Sequence, residues 1–401
     1  MALQEPVTYP FPPPPSLFEP STTVAELREH QPVVQIKMPD GKVGWLVTRF
    51  DDVRQVLIDP RFSRAAVATS ENAPNTGLNV VANDSILGMD PPEHTRLRRL
   101  VARAFTARRV EQLRPRAAAL VDELLEAMMA LPQPADLVEN FSLALPVRVI
   151  CDLLGVPAHD RHTFHAWSDA VLGDIHQDPQ QMRAAFEDIS AYLAKLIAAK
   201  RVEPGDDLMT ALIAARDEGD RLSEHELVRL CVSLLIAGHE TTANQINMFI
   251  LTLLHFPEEF ARIRANPDTI PQAVEELMRF VQLGEGSAGM PRIATEEIEL
   301  SGVKIPAGAA VLPSIGAANR DPRAIEEPDR LDVSRPDVAH LGFGAGVHHC
   351  LGAQLARMEL QEALRGLIRH MPNLRVVVPD SQLRFKRGMI LRSLESLPVT
   401  W

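Results

Sequence analysis

The sequence predicts a mainly α-helical protein with a smaller β-rich region, on three observations. Apolar residues recur at three-to-four spacing over most of the chain beyond residue 50. Two stretches carry short β-rich runs broken by Pro, Gly and Asp. One helical signal runs from Ser223 to Phe256, about 50 Å at helical rise, and a helix of that length must cross the core.

Taken in order, residues 1–20 read as an extended proline-rich arm on the surface. They lack a basic n-region and an apolar h-region, which predicts neither a signal peptide nor a membrane anchor. Residues 21–401 are expected to form a single domain, because no Gly/Ser-rich linker or abrupt shift in composition divides them. The stretch VVQIKMPDGKVGWLVTRF reads as a hairpin around Pro39-Asp40-Gly41, followed by a helix for which Asp51 is the expected cap. Helical periodicity then dominates, through AAALVDELLEAMMALP, AYLAKLIAAKR and LQEALRGLIRHM. The long helix opens with Ser223 and Glu226 spaced as a capping box and stops before Pro257. Its middle, LLIAGHETTANQ, sets Glu240, Thr241 and Thr242 where burial is expected, and buried polar groups need partners or a function. A second β-rich patch, IELSGVKIPAGAAVLPSIG, is broken at Ser301-Gly302 and Pro306-Ala307-Gly308.

Composition excludes several classes. With 401 residues, 46% of them hydrophobic, the chain can bury a large core. A net charge of −12 argues against a nucleic-acid binder, which needs a dominant basic face. One region opposes that balance: Arg96–Arg116 holds eight arginines and one acidic residue. Three widely spaced cysteines, Cys151, Cys231 and Cys350, form no disulfide framework and fit a reducing cytoplasm.

The chemistry concentrates in GFGAGVHHCLGAQLARMEL, Gly342–Leu360. One reading of it is a zinc site using His348, His349, Cys350 and His340, although adjacent histidines rarely reach one tetrahedral ion and no second ligand pair is present. Another is a nucleophilic thiol activated by a histidine and a helix N-terminus, although neighbours on a turn point apart. A third is a thiolate ligand to haem iron, with Gly344 and Gly346 letting the backbone approach a flat macrocycle, Phe343 packing beside it and Gly352 leaving space beneath it. A lone cysteine is most often a small buried hydrophobe, but the setting F-G-x-G-x-H-x-C-x-G is far more specific than a lone cysteine.

That segment, Phe343–Gly352, resembles the haem-binding loop of the cytochrome P-450 superfamily, and further matches follow in the family's order. AGHETT, Ala237–Thr242, is similar to its oxygen-activation motif, EELMRF carries an E-x-x-R pair as Glu276 and Arg279, and DPPEHTRLRR carries H-x-x-x-R as His94 and Arg98. The segment PRIATEEIEL is similar to one that sets an arginine, here Arg292, on a haem propionate. The resemblance covers about residue 20 to Trp401, is strongest to the soluble bacterial branch, and implies a fold whose long central helix crosses over the haem.

The resemblance implies Cys350 as axial ligand to the iron of haem b, with His94, Arg98, Arg292 and His348 on the propionates, Phe343 and Gly352 against the ring, and His349 as a loop residue. His94 and Arg98, four apart, face the same way on a helix. Glu240 and Thr241 are implied as the acid–alcohol pair relaying protons, with Thr241 bonding back to a carbonyl one turn earlier. Ala237 and Gly238 are expected to leave room for dioxygen. Glu276 and Arg279 are implied as a buried structural pair bracing the cysteine loop, with Arg330 as third member and Arg335 as its substitute.

The expected activity is a monooxygenase that inserts one atom of dioxygen into a hydrophobic natural product, such as a polyketide, macrolide or terpenoid, by hydroxylation or epoxidation in secondary metabolism. Electrons from NAD(P)H are implied to arrive through a ferredoxin and a ferredoxin reductase, docked on the basic region. Oxidative coupling, rearrangement, a peroxide-driven reaction and a haem-based sensor remain alternatives. The substrate pocket is expected around Ala237, Gly238, Ala288, Gly289 and Met290, and the small residues of QLGEGSAGM suggest room beside the ring. Further pocket segments are expected at about Ser63–Asp90, His165–Leu193 and RGMILRS near the C-terminus.

Overall fold

A computed structural model describes residues 5–74, 85–102, 105–160, 167, 179–217, 222–284, 289–386 and 391–401. Its internal contacts form two compact units, each discontinuous in sequence: Met1–Thr95 with Glu275–Cys350, and Arg96–Val274 with Leu351–Trp401.

The first unit is built on a six-stranded sheet. Numbering strands along the chain, its order is β1 (Val7–Thr8), β2 (Val33–Lys37), β3 (Val43–Val47), β9 (Ala310–Pro313), β6 (Arg292–Ala294) and β4 (Phe62–Ser63). The β2–β3 hairpin is the expected one, with Gly41 in the left-handed conformation at φ 83° and Lys42 N–H on the Asp40 carboxylate at 3.1 Å. Neighbouring β3 and β9 run parallel, and β6 runs antiparallel to β9, which places Arg292 beside Val311. The second β-rich patch supplies β9 and the hairpin β7 (Ile298–Leu300) with β8 (Val303–Ile305), turned by Ser301 and Gly302. Under the sheet, Val33, Trp45, Val47, Val53, Val56, Leu57, Phe62 and Leu341 make one apolar cluster.

Two expectations change here. Asp51 lies inside the first turn of the helix Phe50–Ile58 and caps nothing; the Phe50 N–H donates instead to Asp321, 271 residues away, at 2.9 Å. The amino-terminal arm is more than a surface layer: β1 adds a parallel strand to β2, and Val7, Tyr9 and Phe11 pack on the cluster of Leu27, Ile36 and Leu46.

The second unit is helical, with one small sheet of β10 (Arg375–Val376), β11 (Pro398–Thr400) and β5 (Ala135–Asp136). The long helix is Glu224–His255, 32 residues. Its capping box closes as the sequence predicts: Ser223 Oγ accepts from Glu226 N–H at 3.1 Å, and Glu226 accepts from Ser223 N–H at 2.7 Å. Gly238 meets the helix Ala144–Leu154 so closely that a Cβ would fall 2.9 Å from Ile150 carbons. Ala353–His370 packs on Ala107–Met129, where Gly366 sits directly against Val121. Among the described residues no helix is long and apolar enough to cross a membrane.

Candidate functional site

The loop Leu341–Cys350 is shaped by two left-handed glycines, Gly344 at φ 70° and Gly346 at φ 68°. A side chain at Gly346 would also strike Leu57 O at 2.8 Å. Backbone bonds close the loop on itself: Gly344 N–H on Leu341 O and Cys350 N–H on Phe343 O, both at 2.8 Å. Phe343 is buried and Cys350 is exposed. The other cysteines are buried, and burial pushes the Cys231 thiol up to about 12, so Cys350 is the one thiol presented for chemistry. The next helix begins at Ala353, and the space where a Cβ on Gly352 would sit is open to 4 Å.

The loop is braced from behind. Asn319 accepts Leu341 N–H at 2.8 Å, and His340 accepts Gly342 N–H while its Nε2 lies 3.0 Å from Glu275. Glu276 and Arg279 form a fully buried bidentate pair at 2.7 and 2.8 Å. Arg279 also donates to Asn319 O, Pro328 O and Arg330 O. Arg335 is the third member: its Nε lies 3.3 Å from Glu276. Arg330 contributes only its carbonyl, because its side chain pairs with Glu327 and Asp332.

Beside this loop lies a cationic cluster. The His94 and His348 rings stand 4.4 Å apart, and His348 Nε2 is buried with no hydrogen-bond partner among the described residues. Burial first, then the charges of His94, Arg292 and Arg64, push the His348 imidazole down to about 3. Arg292 is 4% exposed and donates to Val56 O at 3.1 Å. Arg64, which no motif flagged, is 3% exposed and donates to the carbonyls of Leu87 and Pro291. Burial lowers both guanidinium groups to about 10. The carboxylate acting on them is Asp90, whose oxygens take the Ser63 hydroxyl and the N–H groups of Arg64 and Ala65. Such a cluster suits a buried anion. Arg98 follows His94 by one turn on the helix Glu93–Ala102 and is half-buried. His349 is exposed, and its ring centroid lies 6.4 Å from that of Phe343.

On the long helix, Ala237 is exposed and Gly238 and Thr241 are half-exposed in a stretch whose neighbours are buried. Thr241 Oγ1 donates to Ala237 O at 2.8 Å, the expected bond to the preceding turn. Glu240 is wholly buried, and its Oε1 accepts from Asn244 Nδ2 at 3.0 Å and lies 3.5 Å from Ser393 Oγ. Asn244 was not among the expected site residues, and Ser393 entered only as the end of the pocket segment RGMILRS. Ile150 packs against Gly238, where a side chain would not fit. Likewise Gly289 abuts the carbonyl of Pro313, and Met290 Sδ lies 3.8 Å from Arg64 Nη2. Ala288, the other small residues at 285–288, and parts of the further pocket segments lie outside the described residues. The zinc reading falls: among the described residues no three His, Cys, Asp or Glu side chains converge.

Comparison with known proteins identifies the family. The sequence profile of cytochrome P-450 matches residues 150–384. The chain is 50% identical over 376 residues to the mycinamicin IV hydroxylase/epoxidase of Micromonospora griseorubida, covering 94% of each. It is 48% identical over 377 residues to the nocardicin C N-oxygenase of Nocardia uniformis subsp. tsuyamanensis, again covering 94% of each. A solved structure of a variant of the mixed-function P-450 MycG, in complex with mycinamicin IV, superposes with a TM-score of 0.90 at 48% identity, covering 99% of this chain and 100% of that one.

Proposed function

The chain belongs to the cytochrome P-450 family, an oxygenating oxidoreductase family that uses haem iron and dioxygen, and on that premise we propose that it hydroxylates or epoxidises a hydrophobic natural product, a macrolide foremost. The observation that carries the substrate class is the 50% identity, over 94% of both chains, to a mycinamicin IV hydroxylase/epoxidase.

The residues present fit a haem. His348 Nε2 is a buried polar atom in want of a partner, and two buried guanidinium groups stand against one carboxylate, as two propionates require. When bound, haem supplies the iron at which dioxygen is activated, one atom going to the substrate and the other leaving as water. Cys350 would hold the iron through its thiolate, and the loop bonds that fix its backbone would hold the sulfur in place. His94, Arg98, Arg292 and His348 would anchor the propionates. Phe343 would pack against the ring, and the open position at Gly352 would leave room for it. The wholly buried Glu240 carboxyl and the half-exposed Thr241 hydroxyl relay protons on the long helix.

Electrons come from NAD(P)H through a ferredoxin reductase and a ferredoxin, in the cytoplasm. The exposed arginines Arg99, Arg108 and Arg109 make no ion pair among the described residues, whereas Arg96, Arg114 and Arg116 pair with Glu226, Glu111 with Glu362, and Asp152. The unpaired three form the docking surface for the acidic ferredoxin.

The test is spectroscopic. The reduced protein under carbon monoxide should show the strongly red-shifted Soret band of a thiolate-ligated haem, and Cys350→Ala should abolish it. Mycinamicin IV added to the oxidised protein perturbs the Soret band, and turnover yields a product one oxygen atom heavier. A protein that responds only to small charged molecules refutes the substrate class, and one without the thiolate band refutes the haem reading.

A further inference from the structure

Arg64 enters the haem fit only as one of two buried guanidinium groups and has no separate task there, yet it is the more elaborately held of the two. It lies one residue beyond β4 in RFSRAAVA and, among the described residues, makes no ion pair. Burying a guanidinium without a carboxylate is costly unless a ligand supplies the missing charge. Its five N–H groups are unevenly used. Nε donates to Leu87 O at 3.0 Å, Nη1 donates to Pro291 O, and Nη2 has only the thioether of Met290 at 3.8 Å, a weak acceptor. Fixing Nε and Nη1 on two carbonyls fixes the plane of the group, so Nη2 is the pre-aimed end.

Among the described residues no carboxylate takes up that end. The near carboxylate, Asp90, is consumed by the Ser63 hydroxyl at 2.5 Å and by the N–H groups of Arg64 and Ala65 at 2.9 and 3.3 Å, where it closes the turn that opens Ala65–Ala68. The other cation, Arg292, bears on Arg64 by repulsion, and both bear on His348. Two guanidinium charges against one spent carboxylate leave a buried positive charge, on the same side of the unit as the orphaned Nε2 of His348.

We propose that Arg64 is a further guanidinium, beside Arg98 and Arg292, set against a haem propionate and bridging that carboxylate to the carbonyls of Leu87 and Pro291. This rests on the haem reading. It makes Arg64 a positioning residue: it helps to retain the haem and adds a positive charge that favours the reduced iron.

The test uses the holoprotein and reads two properties that need neither substrate nor redox partner: the rate of haem transfer to excess apomyoglobin, and the midpoint potential in a potentiometric titration. Arg64→Gln should lose haem about tenfold faster, the worth of one charge-assisted hydrogen bond, and its midpoint potential should fall. Arg64→Lys keeps the charge and should restore the potential toward that of the wild type, and it decides the question should Arg64→Gln fail to hold haem. Unchanged haem loss and potential in Arg64→Gln, with only a lower melting temperature, would show a residue that merely ties two loops and would overturn the proposal. A wild-type protein without the thiolate band under carbon monoxide overturns the haem reading, and Arg64's role with it.

Discussion

The Glu240 carboxylate is held by Asn244, one turn further along the same helix, at 3.0 Å, while the neighbouring Thr241 hydroxyl turns back to Ala237 O at 2.8 Å. The acid and the alcohol are therefore each bonded elsewhere; Glu240 Oε1 takes the hydrogen bond, while Oε2 has none among the described residues and lies 3.9 Å from His239 Nε2. That oxygen, without a hydrogen bond, is the one able to exchange a proton. Glu240→Gln keeps the shape and the Asn244 contact through its carbonyl oxygen but cannot release a proton to a base. Turnover driven by NADH and dioxygen should fall by about 10²-fold or more. Turnover driven by hydrogen peroxide, which arrives already reduced and protonated, should change far less. Equal losses in both assays would assign Glu240 to structure alone.

What could be read in the sequence was what is local. The capping box needs only Ser223 and Glu226, and the cysteine loop needs only the order of its glycines, histidine and thiol, so both appeared in the structure as expected. What could not be read depends on contacts across the chain. Asp321 displaced Asp51 as the partner of a helix start 271 residues away. Arg335 rather than Arg330 reached Glu276, because the turn between them aims one side chain inward and the other toward Glu327. Small residues are ambiguous for the same reason: Gly238 and Gly289 read as room for a ligand, and in the structure a neighbour also presses closely on each. Arg64 sits in no motif, and only its burial and its carbonyl partners mark it.

The Glu276–Arg279 pair predicts a stability loss with a defined pattern. Both side chains are fully buried, and Arg279 alone ties three carbonyls from Asn319, Pro328 and Arg330. Arg279→Leu leaves Glu276 charged and those carbonyls unmet, a loss of about 3–5 kcal/mol. Arg335→Leu removes the more peripheral partner at 3.3 Å and should cost less. Urea unfolding of the holoprotein measures both, and a larger loss for Arg335→Leu would contradict the geometry.

The basic start of the helix Ala107–Met129 predicts a trade between stability and docking. Arg108 and Arg109 occupy its exposed first turn, where positive charge opposes the helix dipole by about 0.3–1 kcal/mol. Reversing both to Glu should leave the melting temperature unchanged or raise it. The same change should weaken ferredoxin binding about tenfold at low salt and much less at high salt, where exposed charges are screened. Titration calorimetry with a purified bacterial ferredoxin at two salt concentrations separates the effects; affinity unchanged at low salt would remove the docking surface.

Glu359 predicts a pH dependence whose sign follows from its surroundings. It lies buried on the helix Ala353–His370, and neither carboxyl oxygen has a hydrogen-bond partner among the described residues. Burial raises its carboxyl well above the ordinary range, and no charged group contributes. A native pKa above the unfolded value means that the native state binds the extra proton. Below about pH 4.3 both states are protonated and the residue adds no pH dependence. Above that, the native state must either keep its proton or bury a charge, so stability falls by about 1.4 kcal/mol per pH unit until the native carboxyl itself ionises. Glu359→Gln keeps the neutral shape at every pH. Its melting temperature should therefore exceed that of the wild type at pH 8, with the gap closing as the pH falls toward 5. A gap that widens toward acid would mean that Glu359 is charged and paired in the native protein.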